Sequence, residues 1–304
     1  MGTKKKFILF FGVGWCGTTS LYYTLQDYMH GGWVKENRVL ARIFLELNKS
    51  RREGSYQLLM NGLEYKGKDP VKLQFTEQEI NSIFSPGVSL SRYVAHYKKL
   101  AEYCGDRYMA VGDFSNTNYD LTVDMLHQIN EELKKYFDVM PIIILRDPIR
   151  RIWSETCAFT NNKFFKKKNG YNCVKDTVQS TLCLQYTDKI KQLYKVFGEK
   201  NVCYLIMEDF FKDQKNNFEV SKLEKFLNIN INKVYPCVFV PDKGINPPKL
   251  DGLKDQWCSD HEVLTPEFYN MLRFRKDYEK EYNSFKELHG HLPADWGRPI
   301  DYGY

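Results

Sequence analysis

A chain of 304 residues with 43% hydrophobic and 27% charged residues has the composition of an ordinary globular protein, long enough for one large domain or two small ones. Its formal charge of +6 is mild for that length and suits an anionic small molecule better than duplex DNA, which calls for a concentrated basic stripe. No stretch approaches the ~18 consecutive apolar residues of a membrane span, so neither nucleic acid nor membrane is expected as a partner.

The first element is Phe7-Ile8-Leu9-Phe10-Phe11, a continuous apolar run of the kind found in strands buried on both faces. The glycine-rich stretch GVGWCGTT follows, and Thr18 to Tyr28 has helical spacing with Leu21 and Leu25 on one face. Strand, glycine turn and helix in that order open a βαβ unit. From Val34 to Gly105 the pattern is mostly helical. Thr76 and Glu79 have the form of a capping box, and Ser89 to Cys104 is a second helix with Gly105 as its cap. Strand character returns at Tyr108 to Val111, a helix is expected from about Leu121 to Phe137, and Ile142 to Leu145 is another buried strand. It ends in Arg146-Asp147-Pro148, with proline well placed to begin a helix. A helix over Thr177 to Val196, a strand over Val202 to Ile206, a short helix around Leu223 to Leu227 and a terminal helix from Pro266 to Leu288 complete the reading. Strands alternate with helices without a linker or shift of composition. The pattern predicts an α/β fold, a parallel β-sheet flanked by helices, in a single domain over residues 1–304.

The eight cysteines are scattered, with no C-x-x-C pair, which speaks against a zinc site and a compact disulfide framework. The apolar run after MGTKKK is too short for a secretory h-region. Without an export signal the cysteines are read as free thiols in a reducing, cytoplasmic setting. His289 and His291 are the one close pair among the six histidines, and no metal site is expected.

Two stretches carry chemistry. Gly12 and Gly17 keep the G-x-x-x-x-G spacing of a phosphate loop, in which backbone N–H groups and a helix N-terminus cradle phosphate oxygens. Thr18 stands where the lysine of an ATPase would bridge two phosphates, and Thr19 keeps the following hydroxyl. Such a loop can still grip a single phosphate; a plain strand-to-helix turn is the simpler reading. In LRDPIRRIWSE, Arg146 sits at the carboxyl end of a buried strand, where ligands of open α/β sheets bind. Its guanidinium fork suits a phosphate monoester, although a carboxylate would serve it equally, and Arg150 or Arg151 would take one in the same way. Ser154 follows two helical turns later.

Together these stretches resemble the sulfotransferases that use 3′-phosphoadenosine 5′-phosphosulfate (PAPS), most closely the glycosaminoglycan and bacterial types. The glycine loop, the R-D-P-x-x-R-x-x-S segment, the late strand ending in LIMEDF and the tyrosine-rich terminal helix occur in that family's order. The resemblance implies a P-loop-like fold and transfer of a sulfuryl group from PAPS to an acceptor hydroxyl or amine, with adenosine 3′,5′-bisphosphate (PAP) as product and no metal. It assigns the 5′-phosphosulfate to Gly14, Trp15, Cys16, Gly17, Thr18, Thr19 and Ser20, and the 3′-phosphate to Arg146 and Ser154. Glu36 stands at the place of the family's catalytic base, Lys35 is the nearest replacement cation, and Lys243-Gly244 corresponds to its capping loop. His30 and His96 are rival bases, and Asp113 and Ser115 are expected either to face the cleft or, equally, to form a plain strand-ending turn. Two positions depart from the pattern: Trp15 and Phe114 stand where basic residues are usual. An inactive PAP-binding relative or a P-loop nucleotide kinase are therefore the alternatives. The acceptor is expected to be a small molecule or glycan; neither its identity nor the oligomeric state is legible.

Overall fold

The apolar run at the N-terminus forms the middle strand of the sheet. A computed structural model of the chain describes residues 4–32, 37–45, 76–85, 87–160, 182–211, 217–235 and 266–297. Strand β1 (Lys5–Phe10) lies between β3 (Ala110–Asp113) and β4 (Phe137–Leu145) in a five-stranded sheet of order β2-β3-β1-β4-β5, with β2 at Met29–His30 and β5 at Cys203–Ile206. Every pairing is parallel, as the alternation of strands and helices requires. Phe7 to Phe11 are essentially excluded from solvent, and each such side chain contributes roughly 1.5–3 kcal/mol on burial. The register sets Gly112 opposite Ile8. A Cβ there would lie 2.5 Å from the Ile8 carbonyl oxygen, so this pairing needs glycine.

The helices follow the predicted pattern with shifted ends. Helix α1 is Thr18–Leu25, α2 is Val39–Phe44 and α3 is Glu77–Phe84, which Thr76 caps in the box anticipated with Glu79. Helix α4 (Leu90–Cys104) has Ser89 and Gly105 as caps and buries Tyr93, Val94, Tyr97 and Leu100. Its Tyr97 ring meets Phe7 edge-on at 4.9 Å. Helices α5 (Val123–Leu133), α6 (Pro148–Thr160), α7 (Tyr186–Phe197), α8 (Met207–Phe210) and α9 (Phe218–Leu227) follow. The expected single terminal helix is two, α10 (Pro266–Arg273) and α11 (Lys276–His289). The break has a local cause: Arg275 is extended, and its guanidinium holds the Asp277 carboxylate through Nε and Nη2, each at 2.6 Å. The strand expected at Tyr108 to Val111 begins two residues later, and β2, only two residues long, is too short to show in a pattern.

The chain divides into two compact units. One comprises Met1–Leu145 with Asp188–Pro236 and contains the whole sheet; the other comprises Arg146–Thr187 with Cys237–Tyr304 and contains α6, α10 and α11. Among the described residues, Cys16, Cys104, Cys183 and Cys203 are buried, and no helix is long and apolar enough to cross a membrane.

Three consecutive lysines before the apolar run close the ends of three helices. The Lys4 ammonium donates to the carbonyl of Lys134, the C-cap of α5, at 2.5 Å. Lys5 donates to the carbonyls of Ala101, Gly105 and Tyr108 around the end of α4. Lys6 donates to the carbonyl of Leu227, the last residue of α9. Each cation satisfies carbonyls that the helix leaves unpaired and meets the negative end of its dipole. Replacing Lys5 by Met, which keeps most of the stem and removes the donors, is expected to cost about 1 kcal/mol. Calorimetry should show a melting temperature lower by about 2–4 °C; an unchanged value would mean that water replaces the ammonium at no cost.

Candidate phosphate-binding site

The loop at the end of β1 is shaped by close packing at two of its glycines. At Gly12 a Cβ would collide with the Phe10 ring at 2.0 Å and with the Thr18 methyl at 2.5 Å. Gly17, the N-cap of α1, has a φ of 74° and would place a Cβ 2.6 Å from the Phe211 ring. Its carbonyl accepts the first helical hydrogen bond, from Leu21 N–H at 3.1 Å. Trp15 is also left-handed, with a φ of 71°, while Cys16 is not. A bulky residue in that region costs roughly 1–2 kcal/mol and persists only where its surroundings dictate it. Left-handed residues at 15 and 17, with Cys16 between and helical Thr18 after, give the alternation that turns successive backbone N–H groups into one concavity. Helix α1 then starts with no acidic residue in its first turn. These donors fit a phosphate-sized anion.

The side chains of the loop divide into two sets. Cys16, Thr18 and Ser20 are buried, whereas Gly14, Trp15, Gly17 and Thr19 keep part of their surface. The surface of the loop is thus made by its backbone and by the residues that remain open.

Beside the loop, the end of β3 is polar and fully buried. Asp113 and Ser115, expected to face a cleft, are both excluded from solvent. Ser115 donates to Asp113 Oδ1 at 2.5 Å, Tyr93 donates to Asp113 Oδ2 at 2.8 Å, and the Ser115 hydroxyl accepts the N–H of Arg38 at 3.0 Å. Asn37 donates to the Tyr97 hydroxyl at 3.0 Å and accepts from Val39 N–H at 2.9 Å. Burial pushes the Asp113 carboxyl up, and the hydrogen bonds from Ser115 and Tyr93 oppose it. Between Asp113 and Ser115, Phe114 stacks on Phe10 with centroids 4.7 Å apart and planes 8° apart. The position at which a cation was sought is thus part of the apolar core.

In the second unit the carboxylate of Asp147 is the centre. It is fully buried and accepts five hydrogen bonds. Two come from the N–H groups of Ile149 and Arg150 at the start of α6, each 3.0 Å. The others come from the hydroxyls of Tyr269 and Tyr282, at 2.8 and 3.0 Å, and from Gly297 N–H at 3.1 Å. Asp147 thereby gathers α6, α10, α11 and the segment after them around the residue next to Arg146. Arg146 and Ser154 are each half-buried. Arg151 pairs with a carboxylate of its own helix, Glu155 at 2.6 Å.

Lys35, Glu36, Lys243 and Gly244 lie outside the described residues. The described site residues fall in two groups: Gly14 to Ser20 in the first unit, Arg146 and Ser154 in the second.

No family model matches the sequence, and no curated protein matches it. Among solved structures, a sulfotransferase from Alicyclobacillus acidocaldarius aligns over 98% of this chain and 100% of its own, with a TM-score of 0.52 and 17% identity. The chain has the sulfotransferase fold. The sulfotransferase domain of the Synechococcus PCC 7002 olefin synthase aligns over 96% of this chain and 98% of its own at 15% identity, with a TM-score of 0.49.

Within this sulfotransferase fold some polar positions escaped the sequence. Asn37 and Tyr93 carried no motif, and Tyr269 and Tyr282 were visible only as members of a tyrosine-rich helix. The rival bases are core histidines. His30 lies on β2 opposite Val111, with its ring edge-on to Tyr108 at 5.5 Å. His96 is buried against Tyr97, and burial lowers its pKa to about 3, with His30 pushing the same way, Glu79 opposing and Lys99 adding to the lowering. A folded-state value below the ordinary 6.5 means that the unfolded chain takes up a proton the folded chain refuses. Stability from His96 is therefore complete above about 6.5 and declines as pH falls towards about 3. Melting curves from pH 7 to pH 5 should fall more steeply for the natural chain than for His96→Gln. Equal slopes would show that folded His96 is protonated as readily as unfolded.

Proposed function

We propose that this protein is a PAPS-dependent sulfotransferase acting on a hydroxyl or amine of a small-molecule or glycan acceptor. The observation that carries the reading is the loop at Gly12 to Gly17: its left-handed Trp15 and Gly17 make an amide concavity at the end of the central strand, while Thr18 occupies the position of an ATPase lysine. A loop that grips one phosphate without that lysine fits a 5′-phosphosulfate better than a triphosphate. In this reading the amides of Gly14 to Ser20, with the Thr19 hydroxyl, hold the 5′ end. Arg146 and Ser154 hold the 3′-phosphate through a bidentate fork and a hydroxyl. PAPS supplies a sulfuryl group already joined to a good leaving group. Glu36 takes the acceptor's proton as the acceptor oxygen or nitrogen bonds to sulfur, the sulfur–oxygen bond to the nucleotide breaks in line, and PAP leaves. Lys35 is the cation nearest in sequence to Glu36 and neutralises charge on the departing oxygen. Lys243 and Gly244 contribute a loop over the nucleotide.

One observation favours a second reading. Phe114 is a stacked core ring and Trp15 offers only an indole N–H, so two cations of the family's pattern are missing. A chain that binds PAP and turns nothing over would be an inactive relative.

Thermal-shift titration separates the possibilities. PAP should raise the melting temperature of the natural chain more than ADP or ATP does, and Arg146→Ala should abolish most of that rise. A shift with Mg²⁺-ATP alone would make the chain a nucleotide kinase. For turnover, Glu36→Gln should leave PAP affinity within about twofold and reduce sulfuryl transfer a hundredfold or more; retained transfer would remove Glu36 from the mechanism.

A further inference from the structure

Gly14 is the open side of the phosphate loop. At Gly12 and Gly17 an added Cβ would meet a ring within 2.6 Å, but at Gly14 it would find within 4 Å, among the described residues, a single neighbour, the Nδ2 atom of Asn116 at 3.9 Å. That amide comes from the turn after β3, which the sheet order brings next to β1. It is held on both sides. Before it, Phe114 is stacked on Phe10 and Ser115 is tied to Asp113 and to the Arg38 N–H. After it, Asn118 donates to the Phe10 carbonyl at 3.1 Å. Asn116 itself is half-buried, and its Nδ2 is the described atom that faces the room left at Gly14.

We propose that Asn116 is a donor residue of the phosphate loop, its side-chain N–H directed at the anion held by the Gly14 to Gly17 amides. This rests on the reading of the loop as the 5′-phosphosulfate site. A neutral amide is suited to the task. It donates two hydrogen bonds, brings no charge whose desolvation must be overcome, and is preorganised by the anchored residues around it. It partly replaces the hydrogen bonding that a basic residue at position 15 would give, though not its charge. Asn116 would act on the 5′ end of the nucleotide, because it stands at the loop.

The test is isothermal titration of the full chain with PAP and with adenosine 3′-monophosphate, which lacks the 5′-phosphate. Asn116→Ala should weaken PAP binding about tenfold, the usual worth of a hydrogen bond to a charged group. Asn116→Asp, nearly identical in shape, should weaken it further by setting a carboxylate against the anion. Both variants should bind the 3′-monophosphate as the natural chain does and melt at the same temperature without nucleotide. PAP affinity unchanged in both variants, or equal losses for the two nucleotides, would overturn the assignment. If the natural chain does not bind PAP, or Arg146→Ala binds it undiminished, the sulfotransferase reading fails first and takes this assignment with it.

Discussion

Strand β1 is the constraint on which the first unit depends. It is hydrogen-bonded to a parallel neighbour on each edge, so its six residues fix the register of β3 and β4 at once. Its Lys5 and Lys6 reach the carbonyl ends of α4 and α9, Lys4 just before it reaches that of α5, and its apolar residues enter the core. The chain then leaves the sheet with Gly12, where the Phe10 ring leaves no room for a side chain. A displacement of one residue in β1 would move the ammonium groups from their carbonyls, turn Gly112 away from Ile8 and misplace the loop. The position of the loop is thus set by the same pairing that sets the core.

Both units bury a carboxylate, and they satisfy it differently. Asp147 receives three backbone N–H groups and two tyrosine hydroxyls, so both of its buried oxygens are met by donors. Asp113 receives hydroxyls from Ser115 and Tyr93, and burial raises its pKa in spite of them. The first is a rigid anchor for α6, the helix that carries Ser154. The second ties the start of α2 to the end of β3 through the Arg38 N–H. Removing either carboxylate would strand several donors at once, a loss of the kind that costs more than the bonds themselves are worth.

What the sequence made legible was local in the chain. The apolar run of β1, the glycine spacing, the Thr76–Glu79 capping box, the Gly105 cap and the proline that opens α6 all depend on residues within a few positions of one another. So does the order of strands and helices, from which the parallel sheet follows. The reach of Lys6 to Leu227, of Asp147 to Gly297 and of Asn116 to Gly14 joins residues a hundred or more apart, and no spacing encodes it. Asp113 and Ser115 were misread for the same reason. A strand-ending turn of polar residues looks solvent-facing until Tyr93 and Arg38, from separate helices, are seen to cover it.

Trp15 illustrates how backbone and side chain can be settled independently. Its left-handed φ belongs to the loop's amide concavity, and any residue other than glycine would bear a similar strain there. A basic side chain at this position would therefore meet no backbone obstacle that Trp15 does not already meet. Tryptophan's single codon, TGG, is one base from the arginine codons CGG and AGG. The loop's geometry thus leaves a single-nucleotide path between an aromatic and a cationic version of the same anion site.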